Sequence, residues 1–148
     1  MLKLIPPAWT GIYLAIAGAA SALFSWRSIV DLRIVWLGAV LIAAGVLLAV
    51  SAAALFRSES TEISPTSETN AKLVVRGPYL LTRNPMYLGL VLASLGIAFC
   101  VGSLPMFAVP LLVFATTNWV HIPFEEAKMR RQFGAAYDRY TNSTRRWV

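Results

Sequence analysis

The sequence predicts an all-α membrane protein with four transmembrane helices, and three features of its 148 residues carry that expectation. Hydrophobic residues make up 57% of the chain and charged residues 14%, where soluble domains hold about 45–50% and about 25%. Three stretches contain no Asp, Glu, Lys or Arg: Ala8 to Trp26, Ile34 to Phe56 and Met86 to Phe124, of 19, 23 and 39 residues. The cations are gathered in the parts left between and after these stretches. The same composition excludes a soluble globular domain, a disordered chain and a collagen, and a single cysteine, Cys100, excludes a disulfide scaffold.

A spanning helix needs roughly 17–25 residues to cross about 30 Å of hydrocarbon, so the first two stretches make one span each, at about residues 8–26 and 34–56. A cleavable signal sequence ending near Ala20-Ser21-Ala22 competes for the first, but Pro6-Pro7 and the weakly basic start favour a span. The third stretch would run about 58 Å as one straight helix at about 1.5 Å per residue. Gly102-Ser103-Leu104-Pro105 breaks it into a hairpin with spans at about 86–102 and 105–123. Gly38, Gly45 and Ala49 share a face of the second span, and Gly89, Ala93 and Gly96 share a face of the third. Such small residues let membrane helices approach closely.

The cytoplasmic loop, 57–85, has two halves. Ser58 to Asn70 (SESTEISPTSETN) is a polar linker, whereas Leu73 to Tyr79 is apolar and ends on the turn signal Gly77-Pro78, so it packs against protein. After Phe124, a C-terminal helix over 124–140 is amphipathic, with Met129, Phe133, Tyr137 and Tyr140 on one face. Lys128, Arg130, Arg131 and Arg139 are placed to snorkel to headgroups, and Trp147 to anchor at the interface. Four spans put Lys3, Arg57, Lys72, Arg76, Arg83, Lys128, Arg130, Arg131, Arg139, Arg145 and Arg146 on one side, eleven of thirteen cations. Arg27 and Arg33 remain for the other. The positive-inside rule then sets both termini and the long loop in the cytoplasm. The formal charge of +6 finds its partner in membrane lipids rather than nucleic acid.

Chemistry is expected at one end of the bundle. The only histidine, His121, follows Thr116-Thr117-Asn118 in the fourth span. At about 100° per residue Asn118, His121 and Glu125 share a helix face, and polar groups within a span mark a site. Pro123 removes a backbone hydrogen bond from the last turn. No metal-ligand spacing occurs, and serine hydrolase, P-loop and Gly-x-Gly-x-x-Gly motifs are missing. What remains is a cluster of Gly77-Pro78-Tyr79, Arg83-Asn84-Pro85-Met86-Tyr87 and Glu125-Glu126.

The string LVVRGPYLLTRNPMYLG, followed after the hairpin by EEAKMRRQFGAAYDRY and a basic tail ending in Arg-Trp, resembles the isoprenylcysteine carboxyl methyltransferase family, which is akin to the phospholipid N-methyltransferases. The resemblance covers about Thr61 to Trp147; the first two spans match only as generic apolar helices. It implies an integral membrane enzyme that uses S-adenosylmethionine, held where the third and fourth spans, the loop and the C-terminal helix meet. By position it implies that Leu73, Val74, Tyr79, Asn84, Pro85, Tyr87 and Glu125 line the cofactor. Asn84 stands where the isoprenylcysteine enzymes carry His, a variant expected among bacterial relatives. His121 stands where eukaryotic members have an Arg beside the substrate, which argues against a carboxylate-bearing acceptor.

Methyl transfer from a sulfonium is an in-line displacement, in which the protein mainly aligns the partners and excludes water. Tyr79 and Tyr87 offer aromatic faces to adenine or sulfonium, and Arg83 suits the cofactor carboxylate. Glu125, with Glu126 beside it, suits the ribose hydroxyls or the ammonium. His121 is the candidate catalytic base for an amine, thiol or hydroxyl, and it faces the substrate together with Asn118. The expected acceptor is lipophilic. A phospholipid N-methyltransferase and a small-thiol S-methyltransferase remain open, as does a non-enzymatic scaffold whose basic tail binds anionic lipid.

Overall fold

The computed structural model describes residues 5–24, 31–58 and 73–148. Lys3, Arg27, Lys72, the last two positions of the first predicted span and nearly all of the polar linker lie outside the described residues. Within them the chain is all-helical. Helix α1 (Pro6–Leu23) opens on two prolines, which occupy first-turn positions where a missing N–H leaves no helical bond unmade. Helix α2 covers Val35–Ser58, and a 3-10 turn, Gly77–Leu80, precedes α3 (Pro85–Val101). Gly102, at φ +77°, ends α3 in the left-handed conformation that glycine adopts without a Cβ penalty, and its N–H returns to the Ala98 carbonyl at 2.7 Å. This is the predicted hairpin break.

Helix α4 (Leu104–Thr116) passes without a break through a π-helical turn, Thr117–His121, into α5 (Ile122–Phe133), and α6 (Ala135–Ser143) follows. In space α2 lies against α3, α3 against α4, and α4 against α1. The α2–α3 contact is the closest approach. A Cβ at Gly45 would stand 2.5 Å from the Gly89 carbonyl oxygen, and one at Gly38 2.6 Å from that of Gly96. Backbone meets backbone at both pairs, on the two faces of small residues the sequence presents. On the other flank Tyr13 bonds Thr116 and Ser21 bonds Ser103, each at 2.7 Å, so α1 is tied to α4 by hydroxyl pairs.

Large apolar side chains point outward: Ile16, Trp36, Leu47, Leu111 and Trp119 are 64–70% exposed. Apolar patches of this extent are not left to water in soluble monomers. Two helices, Val35–Ser58 and the continuous Leu104–Phe133, are long and apolar enough to cross a membrane; α3 is apolar but shorter.

The structure departs from expectation beyond residue 123. No break separates the fourth apolar helix from the helix predicted over 124–140; the break falls instead at Gly134, whose φ of +48° and ψ of −126° suit glycine. The face bearing Met129, Phe133, Tyr137 and Tyr140 does not lie on a lipid surface. It packs on Ala52, Val74 and Tyr79, because α6 turns back over the end of α2. Lys128 accordingly is buried, at 7% exposure, rather than extended to headgroups. The Trp147 indole N–H donates to Asn118 Oδ1 at 3.0 Å and its ring lies 4.8 Å from Phe114, so it is packed on the fourth apolar helix and its π turn.

Candidate functional site

A cavity of about 630 Å³ opens where the end of α2, the starts of α1 and α3, the 3-10 turn, α5 and α6 converge. Its polar part is formed by Tyr79, Arg83, Asn84, Tyr87, Glu125, Glu126 and Lys128; its apolar part by Ile5, Pro6, Pro7, Ala49, Val50, Ala53 and Leu90. Leu73, Val74 and Pro85 also line it, so nine of the predicted cofactor residues, from Leu73 to Glu126, face one space.

Gly77, at φ +60°, turns the chain so that Tyr79 enters the core, where it is 5% exposed with its ring 5.4 Å from Phe56. The Tyr140 hydroxyl donates to the Tyr79 carbonyl at 2.7 Å and fixes the turn against α6. Burial pushes the Tyr79 hydroxyl well above the usual tyrosine range, helped by Tyr140 and Glu125 nearby, so it stays a proton donor. Tyr140 is raised in the same way, by burial first and then by Tyr137.

The adjacent glutamates have different fates. Glu125 Oε1 accepts a hydrogen bond from the Tyr87 hydroxyl, joining α5 to α3 across the cavity wall. Glu126 is occupied by arginines: Arg146 donates to both its oxygens, at 3.1 and 2.6 Å, and Arg83 lies 3.3 Å away. That hydrogen bond raises the Arg146 guanidinium above its usual range, burial working weakly against it. Both carboxylates line the cavity, and Glu126 is the one paired with arginines. Arg83 Nε is buried with no hydrogen-bond partner among the described residues.

Asn118 and His121 do not line the cavity. The expectation that they share a face with Glu125 rests on α-helical spacing, and the π turn breaks that spacing. The Ile122 N–H reaches back five residues to the Thr117 carbonyl, so 117–121 wind more slowly than about 100° per residue. Pro123, which has no N–H for the Trp119 carbonyl, follows directly. Asn118 is left accepting from Trp147. His121 is 1% exposed, its two ring nitrogens have no partner among the described residues, and its centroid lies 6.4 Å from that of Tyr87.

Sequence reasoning missed Lys128, Met129, Tyr137 and Tyr140 as cavity residues. Lys128 had a signal, since it lies three residues after Glu125 on the same helix face. No three His, Cys, Asp or Glu among the described residues are placed to hold a metal ion.

The family model described as phospholipid methyltransferase matches residues 33–136, more than half of the chain. The chain belongs to the phospholipid methyltransferase family. Neither a comparison with curated proteins nor one with solved structures gives a match. The family region takes in α2 to α5, with every cavity residue they carry, and the two helices long enough to cross a membrane. Family membership and those helices together make this a membrane methyltransferase. Ile5 to Pro7, Tyr137, Tyr140 and Arg146 lie outside the matched span.

Proposed function

We propose that the chain is an S-adenosylmethionine-dependent methyltransferase that spans the membrane four times and methylates a lipophilic acceptor at the cytoplasmic face. The observation that carries this reading is the cavity itself: in a chain of this family, two tyrosines and a carboxylate border one space together with apolar residues such as Ala49, Val50, Ala53 and Leu90.

The donor set suits the cofactor. Ligand pockets run at about 300–1,000 Å³, and the volume here falls within that range. S-Adenosylmethionine, when bound, supplies an electrophilic methyl group on a cationic sulfonium. Tyr79 and Tyr87 present aromatic faces that attract such a cation. Glu125, with one oxygen on Tyr87, has a second to accept from a hydroxyl or ammonium. Arg83 and Lys128 are the cations at hand for a carboxylate. Leu73, Val74, Asn84 and Pro85 shape the wall and exclude water.

The acceptor's apolar part fits against the lining residues Ala49, Val50, Ala53 and Leu90. His121 does not line the cavity, so it enters the proposal as a proton acceptor that an amine, thiol or hydroxyl nucleophile reaches by way of Tyr87, whose ring centroid lies 6.4 Å from its own. The family description favours a phospholipid amine over the isoprenylcysteine carboxylate.

The four-span topology rests on length and charge. Helix α1, with 18 residues, reaches about 27 Å at about 1.5 Å per residue, close to the hydrocarbon thickness of about 30 Å. The cavity lies at the end of the bundle where Arg57, Arg76, Arg83, Arg130 and Arg146 collect, which the positive-inside rule makes cytoplasmic.

Calorimetric titration of the purified protein with S-adenosylmethionine tests the reading. Saturable binding is expected, followed by methyl transfer to phosphatidylethanolamine or to a prenylated cysteine. No binding leaves the non-enzymatic lipid-binding scaffold, and methylation of a short soluble thiol alone removes the lipophilic acceptor.

A further inference from the structure

We propose that Arg146 is a positioning residue of this site: through Glu126 it holds the start of α3 and the start of α5 at a fixed separation on two sides of the cavity. The backbone around it is bonded to the segment that leads into α3. The Arg83 N–H donates to the Arg145 carbonyl at 2.9 Å, and the Arg146 carbonyl accepts from Thr82 Oγ1 at 3.0 Å and Asn84 Nδ2 at 2.9 Å. Its side chain goes the other way, with both Glu126 oxygens taken by the guanidinium fork. The next residue, Trp147, is fastened to the π turn through Asn118.

One residue therefore joins the stretch that carries Asn84, Pro85 and Tyr87 to the helix that carries Glu125. A two-point fork fixes direction as well as distance, which a lysine ammonium does not. The Arg83 guanidinium completes the arrangement from the α3 side, 3.3 Å from the same carboxylate. Without the Arg146 fork, Glu126 keeps only that longer contact among the described residues. The separation of Tyr87 from Glu125 then depends on their own hydrogen bond.

The ligand arm of the test rests on the proposed function; the exchange arm does not. In the full chain, Arg146→Ala is expected to speed amide exchange in both 83–88 and 122–129 while thermal unfolding stays cooperative. The KM for S-adenosylmethionine should rise about tenfold, as for loss of a hydrogen bond to a charged group, with kcat within about twofold. Arg146→Lys should recover only part of the affinity, and it replaces the alanine variant if that one fails to fold. Adding Glu126→Gln to Arg146→Ala should cost little more, because the two act as one unit. Unchanged exchange in both segments, or losses that add in the double variant, overturns the proposal. A wild type that does not bind S-adenosylmethionine sinks the cofactor reading instead, and exchange alone then decides the role of Arg146.

Discussion

Glu125 and Glu126 are neighbours in sequence, yet Glu126 is paired with two arginines while Glu125 takes a tyrosine hydroxyl, and the proposed function gives the ligand to Glu125. Glu125→Ala and Tyr87→Ala are each expected to weaken S-adenosylmethionine binding by roughly 1.5–3 kcal/mol, or about tenfold and more. Calorimetry checks this; unchanged affinity in both variants would move the cofactor site elsewhere. His121→Ala should lower turnover by about 10²–10⁴-fold, the usual contribution of a general base, and leave cofactor affinity nearly intact. Activity retained in His121→Ala would take the imidazole out of the chemistry. The residues on the cavity wall were legible because they sit in short strings around turns, Gly77-Pro78 and Asn84-Pro85, whose local geometry survives most packing. Asn118 and His121 were misplaced because helical spacing was applied where the helix is not α. Lys128 was misread because a cation beside an apolar face looks solvated until a second helix covers it.

At the scale of helices, the α2–α3 pair was legible from its small residues, since nothing but close backbone approach explains glycines seven apart on two facing helices. Gly45→Ala would drive a Cβ to 2.5 Å from the Gly89 oxygen and 2.7 Å from the Ala93 nitrogen, both backbone atoms with little room to yield. A loss of about 1–3 kcal/mol is expected from overpacking of this kind. Gly18→Ala, where a Cβ meets nothing within 4 Å, is the matched control and should hold or slightly raise the melting temperature. Equal effects of the two substitutions in thermal unfolding would contradict the close contact. The break at Gly134 was not legible in the same way. A glycine inside an amphipathic pattern reads as tolerated, and only the return of α6 onto Val74 and Tyr79 shows why the chain must turn there.

For the whole molecule, the number of apolar stretches and the hairpin were written in the composition, while the seating of the last helix against the bundle was not. Burial of that helix depends on contacts between residues some sixty positions apart, such as Tyr79 with Tyr140 and Asn84 with Arg146, which no local pattern encodes. Reporter fusions at Val148 and Ser28 should report the cytoplasm and the opposite side respectively. Val148 is 78% exposed, so the first fusion has room beyond the docked segment. Reporters on the same side, or a reversed pair, would defeat the four-span topology.

The π turn also makes the chain sensitive to its own length at one place. The turn already holds one residue more than an α turn, so a further residue inserted between Thr117 and His121 would not be absorbed and would rotate all that follows by about 100°. Glu125 would leave the cavity, and Glu126 would be carried away from both arginines. The count of residues from Thr116 to Glu125 is thus as much a part of the site as their identity, and a one-residue insertion here would do what no conservative substitution does.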